Sequence, residues 1–324
     1  MHVQVVPSAL KRRYFVSVLY LNTSRARQVF KQNLGSANHL IITTLVGLDA
    51  VEAGVVTTAP PGLHAVWSPR NPATSARRSR RLILDMALVR AVDSLDLYFL
   101  ESQRKPKLVQ NVDLRCALDN ARRSVMNKFY AFQKQYKNLD PVLCAMINLM
   151  IAWRNRAAHS DSDDEISVDN LQILRANPIS LQTKFQGLNF VQLQKGYDNY
   201  GSPTFKEVTS FINAVHQFVS ALEEEQFKAL DQKTFLREVL ATALSDRNSL
   251  DATAAKTKHK AATSIWGKDK ESRKKSIMRL FHHNGLSSEI TNSNSYSIAF
   301  DDKHFNDISE MNPKSIIEWI DARN

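Results

Sequence analysis

The sequence predicts an all-α protein: an antiparallel helical bundle, preceded by a short extended segment and followed by a second helical module. Three observations predict it. Only 9 Gly and 10 Pro interrupt 324 residues, so long segments run without a breaker. Apolar residues recur in several of those segments at three- and four-residue spacing, the period of a helix face. Finally, Asp140-Pro141, Ser202-Pro203 and Asn312-Pro313 each join a capping side chain to a proline, whose fixed φ and missing N–H suit a first helical turn.

The elements follow in chain order. Residues 1–35 hold two extended candidates, 3–6 and 14–21, the second rich in β-branched and aromatic side chains. A first helix is expected over 36–53, closed by Gly54, and prolines 60, 61, 69 and 72 make the next stretch a loop. A second helix, 74–101, is apolar nearly all round from 82 to 100, the pattern of a central buried rod. The third is a single helix over 113–136, with Leu114, Leu118, Ala121, Val125, Phe129, Phe132 and Tyr136 on one face. That stripe is core rather than a cofactor site. The fourth runs from Pro141 to His159 and is almost wholly apolar from Val142 to Trp153. An acidic loop (161–165), a weak helix (168–175) and an irregular stretch (177–200) lead to a helix after Ser202-Pro203. Its inner face is Phe205, Val208, Ile212, Val215, Val219 and Leu222.

This divides the chain into an extended segment (1–35), a helical bundle (36–230) and a basic C-terminal helical module (231–324). Four long helices with matching apolar faces pack most simply as an antiparallel bundle. The module reads as a helix over 234–244, a lysine-rich polar linker over 251–275, a short helix over 276–283, a Ser/Asn-rich turn and a last helix over 313–321.

Composition narrows the function classes. Cys116 and Cys144 have no metal-ligand spacing and read as buried free thiols of a reducing cytoplasm. The apolar run 40–56 carries Asp49 and Glu52, charges that a bilayer penalises, so no membrane span is expected. No phosphate-binding glycine loop or dinucleotide fingerprint occurs, and no cofactor is expected. The balance of 43 basic to 32 acidic residues gives +11, which favours a polyanionic partner such as RNA. Arg70, Arg77, Arg78, Arg80 and Arg81 crowd one helix start. Residues 256–279 hold nine Lys or Arg against Asp269 and Glu271. Trp266 in that stretch is a candidate for stacking on a base.

The richest chemistry lies where the fourth helix ends, at Arg154-Asn155-Arg156-Ala157-Ala158-His159. A guanidinium, a carboxamide and an imidazole could there clamp a phosphate and move a proton without a metal. Read purely as structure, the same cations suit the negative end of a helix dipole. Asn155 and His159, four apart, share a face. Arg154 and His159 stand about 140° apart around an ideal helix, so one straight helix does not aim both at one atom. A second protomer supplies the missing group most simply.

Arg154-Asn155-x-x-x-His159 at the end of a bundle helix resembles the signature of the HEPN superfamily, in its prokaryotic ribonuclease form. The likeness extends over about residues 74–226, and the fold it implies is a HEPN-like bundle. The resemblance implies a metal-independent endoribonuclease acting as a homodimer, of the kind found among toxins and antiviral effectors. By that likeness His159 serves as general base or acid, Arg154 holds the non-bridging phosphate oxygens, and Asn155 orients the imidazole or the phosphate. The products would be a 2′,3′-cyclic phosphate and a 5′-hydroxyl. Some relatives carry a tyrosine just past the histidine that a partner antitoxin modifies; here Ser160-Asp161 follows instead. Around this core, Arg156 is expected on the rim. Asp93 and Asp96 are expected either to steady the arginines or simply to lie exposed at a helix edge, and Arg77, Arg78, Arg80, Arg81, Lys268, Lys270, Lys274 and Lys275 to meet the RNA backbone. The alternative expectation is a catalytically silent bundle of the same type that binds RNA or nucleotide, or only dimerises, under an antitoxin or defence-system partner. His216 reads as a packing or surface residue.

Overall fold

Proline opens four of the helices at the first turn, at Pro72, Pro141, Pro178 and Pro313. Side-chain caps from Ser24, Asn71, Asn111, Ser124, Ser167, Asn189 and Thr204 accept the unpaired N–H groups that begin others. The computed structural model describes residues 18–59, 62, 66–158, 165–245, 251–290 and 296–322, and only the backbone of 251–256. Those residues form fourteen helices and one three-stranded sheet, a mostly helical protein. They divide into two compact units, one of residues 23–238, the other joining 1–22 to 239–324. Residues 23–35 therefore belong with the bundle rather than with an N-terminal segment.

In the larger unit the order is α1 (Arg25–Glu52), α2 (Pro72–Glu101), α3 (Val112–Ala121), α4 (Val125–Gln135), α5 (Pro141–Ala158), α6 (Val168–Ala176), α7 (Pro178–Lys184), α8 (Phe190–Asp198), α9 (Phe205–Lys228) and the start of α10 (Gln232–Leu244). The core is the junction of α2, α5 and α9, with α4 alongside. Phe99 stacks on Phe132 at 4.6 Å between ring centroids, and Phe129 meets Phe218 at 5.7 Å. Every residue of α5 from Val142 to Trp153 is buried, which explains why that run shows no polar face.

Several sequence expectations change. The first helix begins at Arg25, eleven residues before the expected start, because Ser24 caps it and accepts from the Arg27 N–H at 3.1 Å. The expected single helix over 113–136 is two helices. Arg122 turns the chain at φ 49° and Ser124 caps the second; the apolar spacing survives the break because both helices face the same core. The stretch 177–200, expected to be irregular, folds as α7 and α8 around buried Leu181, Leu188, Leu193 and Tyr197. The second helix is not buried all round: Leu82, Met86 and Leu100 are 61%, 52% and 43% exposed. The rod enclosed on every side is α5.

The smaller unit contains β1 (Leu19–Leu21), the end of α10, α11 (Asp251–Trp266), α12 (Lys270–His283), β2 (Leu286–Ser287), β3 (Ile298–Phe300), α13 (Asp302–Glu310) and α14 (Pro313–Asp321). β1 lies between β2 and β3, antiparallel to both. Asn22 donates to the Glu289 carbonyl and accepts from Ser297. The lysine-rich stretch read as a linker is two helices, held by buried Ala262, Trp266, Ile277 and Phe281. The extended candidate at 3–6 and most of the one at 14–21 lie outside the described residues.

Candidate functional site

α5 is fixed at both ends. At its start Asp140 accepts from the N–H groups of Val142 (2.8 Å) and Leu143 (3.3 Å) and pairs with Lys184. Partial burial works against ionisation of Asp140, but Lys184 and those two N–H groups together outweigh it and hold the carboxyl below its usual range. In mid-helix Asn148 is fully buried. It donates to Tyr130 Oη (3.0 Å) and to Met126 Sδ, and accepts from the Ser167 N–H (3.0 Å) at the start of α6. Near the end Trp153 donates to the Gly201 carbonyl at 2.9 Å. Its ring lies so close to Gly196 of α8 that an added Cβ would sit 3.3 Å from it. Glycine permits that approach.

The last turn carries the motif. The Arg154 guanidinium is 14% exposed and reaches two acceptors, Asn155 Oδ1 at 3.0 Å and Asp93 Oδ1 on α2 at 3.2 Å. Its Nε–H is buried and has no partner among the described residues, a state that favours the arrival of an acceptor. Asn155 is itself 8% exposed. The structure thus brings Arg154, Asn155 and Asp93 together. His159 and residues 160–164, which include most of the acidic loop, lie outside the described residues.

The other expected residues fall elsewhere. Arg156 is not a rim residue open to a ligand. It donates to the Tyr197 carbonyl at 3.3 Å and to Glu165 Oε1 at 3.0 Å, with its guanidinium carbon 3.9 Å from the Tyr197 ring centroid and 4.8 Å from that of Tyr200. Two positions along a helix is more than half a turn, so it leaves the helix on another side from Arg154. It ties α5 to α8. Burial, the largest influence, raises the Tyr197 hydroxyl's pKa against the Ile166 N–H and Arg156. Asp96 does not steady an arginine of the motif either, since Lys128 Nζ holds it at 2.7 Å.

Of the α2 arginines, Arg77 pairs with Glu52 at 2.8 Å and Arg80 with Asp49 and Glu52 on α1, whereas Arg78 and Arg81 are exposed. In the smaller unit Lys268 bonds Ser276 and Lys270 pairs with Glu310, while Lys274 is half-buried and Lys275 exposed. Trp266 is not available to stack on a base: it is buried and donates to the Ile308 carbonyl at 2.9 Å. Cys144 is buried, with its thiol pushed up to about 12 chiefly by burial, but Cys116 is exposed. His216 packs edge-on against Phe30 at 5.2 Å; burial first, then Lys31 and Arg27, lowers its pKa. Among the described residues no group of three or more His, Cys, Asp or Glu is placed to hold a metal ion. α1 is the one described helix long and apolar enough to cross a membrane.

Sequence reasoning named Asp93 but missed Tyr197, Tyr200 and Glu165 as the groups that hold Arg156. Glu165 is nine positions away in the acidic loop, but nothing local marks the two tyrosines, which lie some forty positions downstream. No protein-family model, curated protein or solved structure matches this chain.

Proposed function

We propose that the chain is a homodimeric, metal-independent endoribonuclease of the HEPN type, a toxin or antiviral effector acting on RNA in the cytoplasm, with an antitoxin or defence-system protein as a possible regulator. The observation that carries this reading is the Arg154 guanidinium at the end of α5. It is held from α2 by Asp93, braced by Asn155, and its Nε–H is left without an acceptor among the described residues. Pre-oriented donors of this kind stabilise charge that develops in a transition state.

In the reaction, a ribose 2′-oxygen attacks the adjacent phosphorus and loses its proton to an imidazole, assigned by the motif to His159. The P–O5′ bond breaks, the departing 5′-oxygen takes a proton, and a 2′,3′-cyclic phosphate remains. Arg154 neutralises the equatorial oxygens while five groups surround phosphorus. On an ideal helix the guanidinium and the imidazole stand about 140° apart, so each phosphodiester draws them from two copies of the chain.

The test is cleavage of total RNA in EDTA by wild type, His159→Ala and Arg154→Ala, with end-group analysis of the fragments. Loss of activity in both variants, with cyclic-phosphate ends from wild type, supports the reading. Equal cleavage by wild type and His159→Ala, or activity abolished by EDTA, overturns it. One observation favours the silent alternative: both terminal nitrogens of Arg154 are already engaged within the chain. RNA that binds and stays intact would select that reading.

A further inference from the structure

One face of α2 runs along the surface from Leu82 to Leu100. Leu82, Met86, Arg90, Asp93, Leu97 and Leu100 fall within about 80° of one another around the helix. Leu82, Met86 and Leu100 are exposed, as are Arg90 and Asp93, and Leu97 is half-buried. Beside this face, α1 has no charged residue from Gln32 to Leu48, with Leu40, Ile42 and Val46 66%, 45% and 64% exposed. Met86 and Arg90 share an open groove of about 540 Å³ with Leu40, Ile41 and Thr44 of α1. Apolar side chains left in water over this length signal an occupant.

The order of the α2 stripe says which occupant. Read from either end it is leucine, apolar, then a charge, and the two central charges are opposite. Turned antiparallel about a point between positions 91 and 92, the stripe matches itself. Arg90 then meets Asp93 of the other copy, twice; Met86 meets Leu97; Leu82 meets Leu100. Self-complementarity of this kind is the mark of a twofold contact.

The size agrees. The stripe is about 27 Å long, and with α1 alongside it is about 20 Å wide at ordinary helix spacing. That gives on the order of 500 Å² per copy, so the pair reaches the ~1,000 Å² of a specific interface.

We infer that this face of α2, flanked by α1, is where a second copy of the chain docks antiparallel, paired through Arg90 and Asp93. The inference rests on the homodimer of the proposed function and fixes its geometry. Arg154 engages only Oδ1 of Asp93, and a carboxylate accepts at both oxygens, so Asp93 can hold its own Arg154 and the incoming Arg90 together. Asp93 stands about 2 Å along the helix from the twofold centre. The two Arg154 guanidiniums therefore flank the axis, and one cleft is built from both chains.

The experiment measures the mass of the full chain by light scattering, with thermal melts to confirm folding. Wild type is expected to be a dimer. Arg90→Asp and Asp93→Arg each set like charges face to face in a homodimer, weakening it at least ~100-fold, but an equimolar mixture of the two restores opposite pairs and forms the heterodimer. In a Cys116→Ser background, Met86→Cys with Leu97→Cys crosslinks two chains on oxidation, whereas Leu82→Cys with Leu97→Cys does not. A wild type that stays monomeric at micromolar concentration overturns the inference. So do a mixture that fails to associate, failure of the first cysteine pair to crosslink, and a monomer that instead floats with lipid vesicles. RNA cleavage is followed in parallel. A dimer that behaves as described but never cuts RNA removes the nuclease reading alone, and a monomer that cuts removes the interface and the two-copy site but leaves RNA cleavage standing.

Discussion

Replacing Glu223 by alanine is expected to loosen the first helix from the bundle. Glu223 lies on α9 with its side chain 2% exposed, and it accepts from the Ser24 backbone N–H (2.9 Å), the Ser24 hydroxyl and Arg27 Nη1 (2.9 Å). Ser24 caps α1, so one carboxylate fixes both the cap and Arg27 in the first turn of that helix. Burial is the largest influence on Glu223 and pushes its pKa up, opposed by the Ser24 hydroxyl and by Arg27. Alanine would leave the buried Arg27 guanidinium with only Ser220 and strip two Ser24 donors of their acceptor. Removing one partner of a buried ion pair costs about 3–5 kcal/mol. Glutamine keeps an acceptor for Ser24 but turns an N–H group toward the guanidinium, at about half that cost. The rest of α1 packs chiefly on α2 and only lightly on α9, so the loss concentrates at its start. Hydrogen exchange over residues 25–34, alongside urea denaturation, reads the effect. If the alanine variant exchanges there like wild type and loses under ~1 kcal/mol, the carboxylate is not the anchor described. A second check is the pair Arg27→Met with Glu223→Leu, expected to be more stable than Glu223→Ala because no charge is left buried alone.

Three further outcomes follow. His159→Ala and Arg154→Ala are each expected to lower RNA cleavage by roughly 10²–10⁴-fold, the range for a lost proton-transfer group or charge stabiliser, measured as initial rates on a labelled RNA in EDTA. Asn148→Leu strands the Ser167 N–H and the Tyr130 hydroxyl and should cost about 2–3 kcal/mol in urea denaturation; Tyr130→Phe, at a half-exposed site, should cost under ~1 kcal/mol. Asp140 has its pKa held down in the folded chain, so its contribution to stability is present above the unfolded value near pH 4 and lost as pH falls through the lower folded value. The gap between wild type and Asp140→Asn should therefore be widest at neutral pH and close as pH falls below the usual carboxylate range; a gap independent of pH would contradict that account.

What could be read from the chain depended on how crowded each segment was with apolar residues. The fourth helix and the helix after Ser202-Pro203 were evident because Asp140-Pro141 and a dense apolar run mark them without rivals. The expected cap is corrected, however: Thr204, not Ser202, caps that helix and forms a capping box with Glu207, while Ser202 bonds Asp85. α11 and the start of α12 (270–275) were hidden because they are held by a few widely spaced anchors, Ala262, Trp266, Ile277 and Phe281, among many charges, whereas the rest of α12 (276–283) was read as a helix. The break at Arg122 was hidden for the opposite reason: the apolar period continues across it. At the candidate site, local spacing named Arg154, Asn155 and Asp93. The position of Arg156 depends on Tyr197 and Tyr200, and no feature of their own neighbourhood ties them to α5.

The sheet of the smaller unit gives translation a consequence. Leu19–Leu21 leaves the ribosome long before its partners: both neighbouring strands come from beyond position 285, and the Asn22–Glu289 bond spans 267 positions. Every residue of the larger unit emerges in between. A ribosome stalled once residue 238 has emerged, but before position 286 has, would thus carry a complete bundle while two leucines that end up buried wait in solvent with unsatisfied backbone edges. Shortened products of this gene should collect as aggregates nucleated at their N-terminal strand, even where the helices behind it are sound.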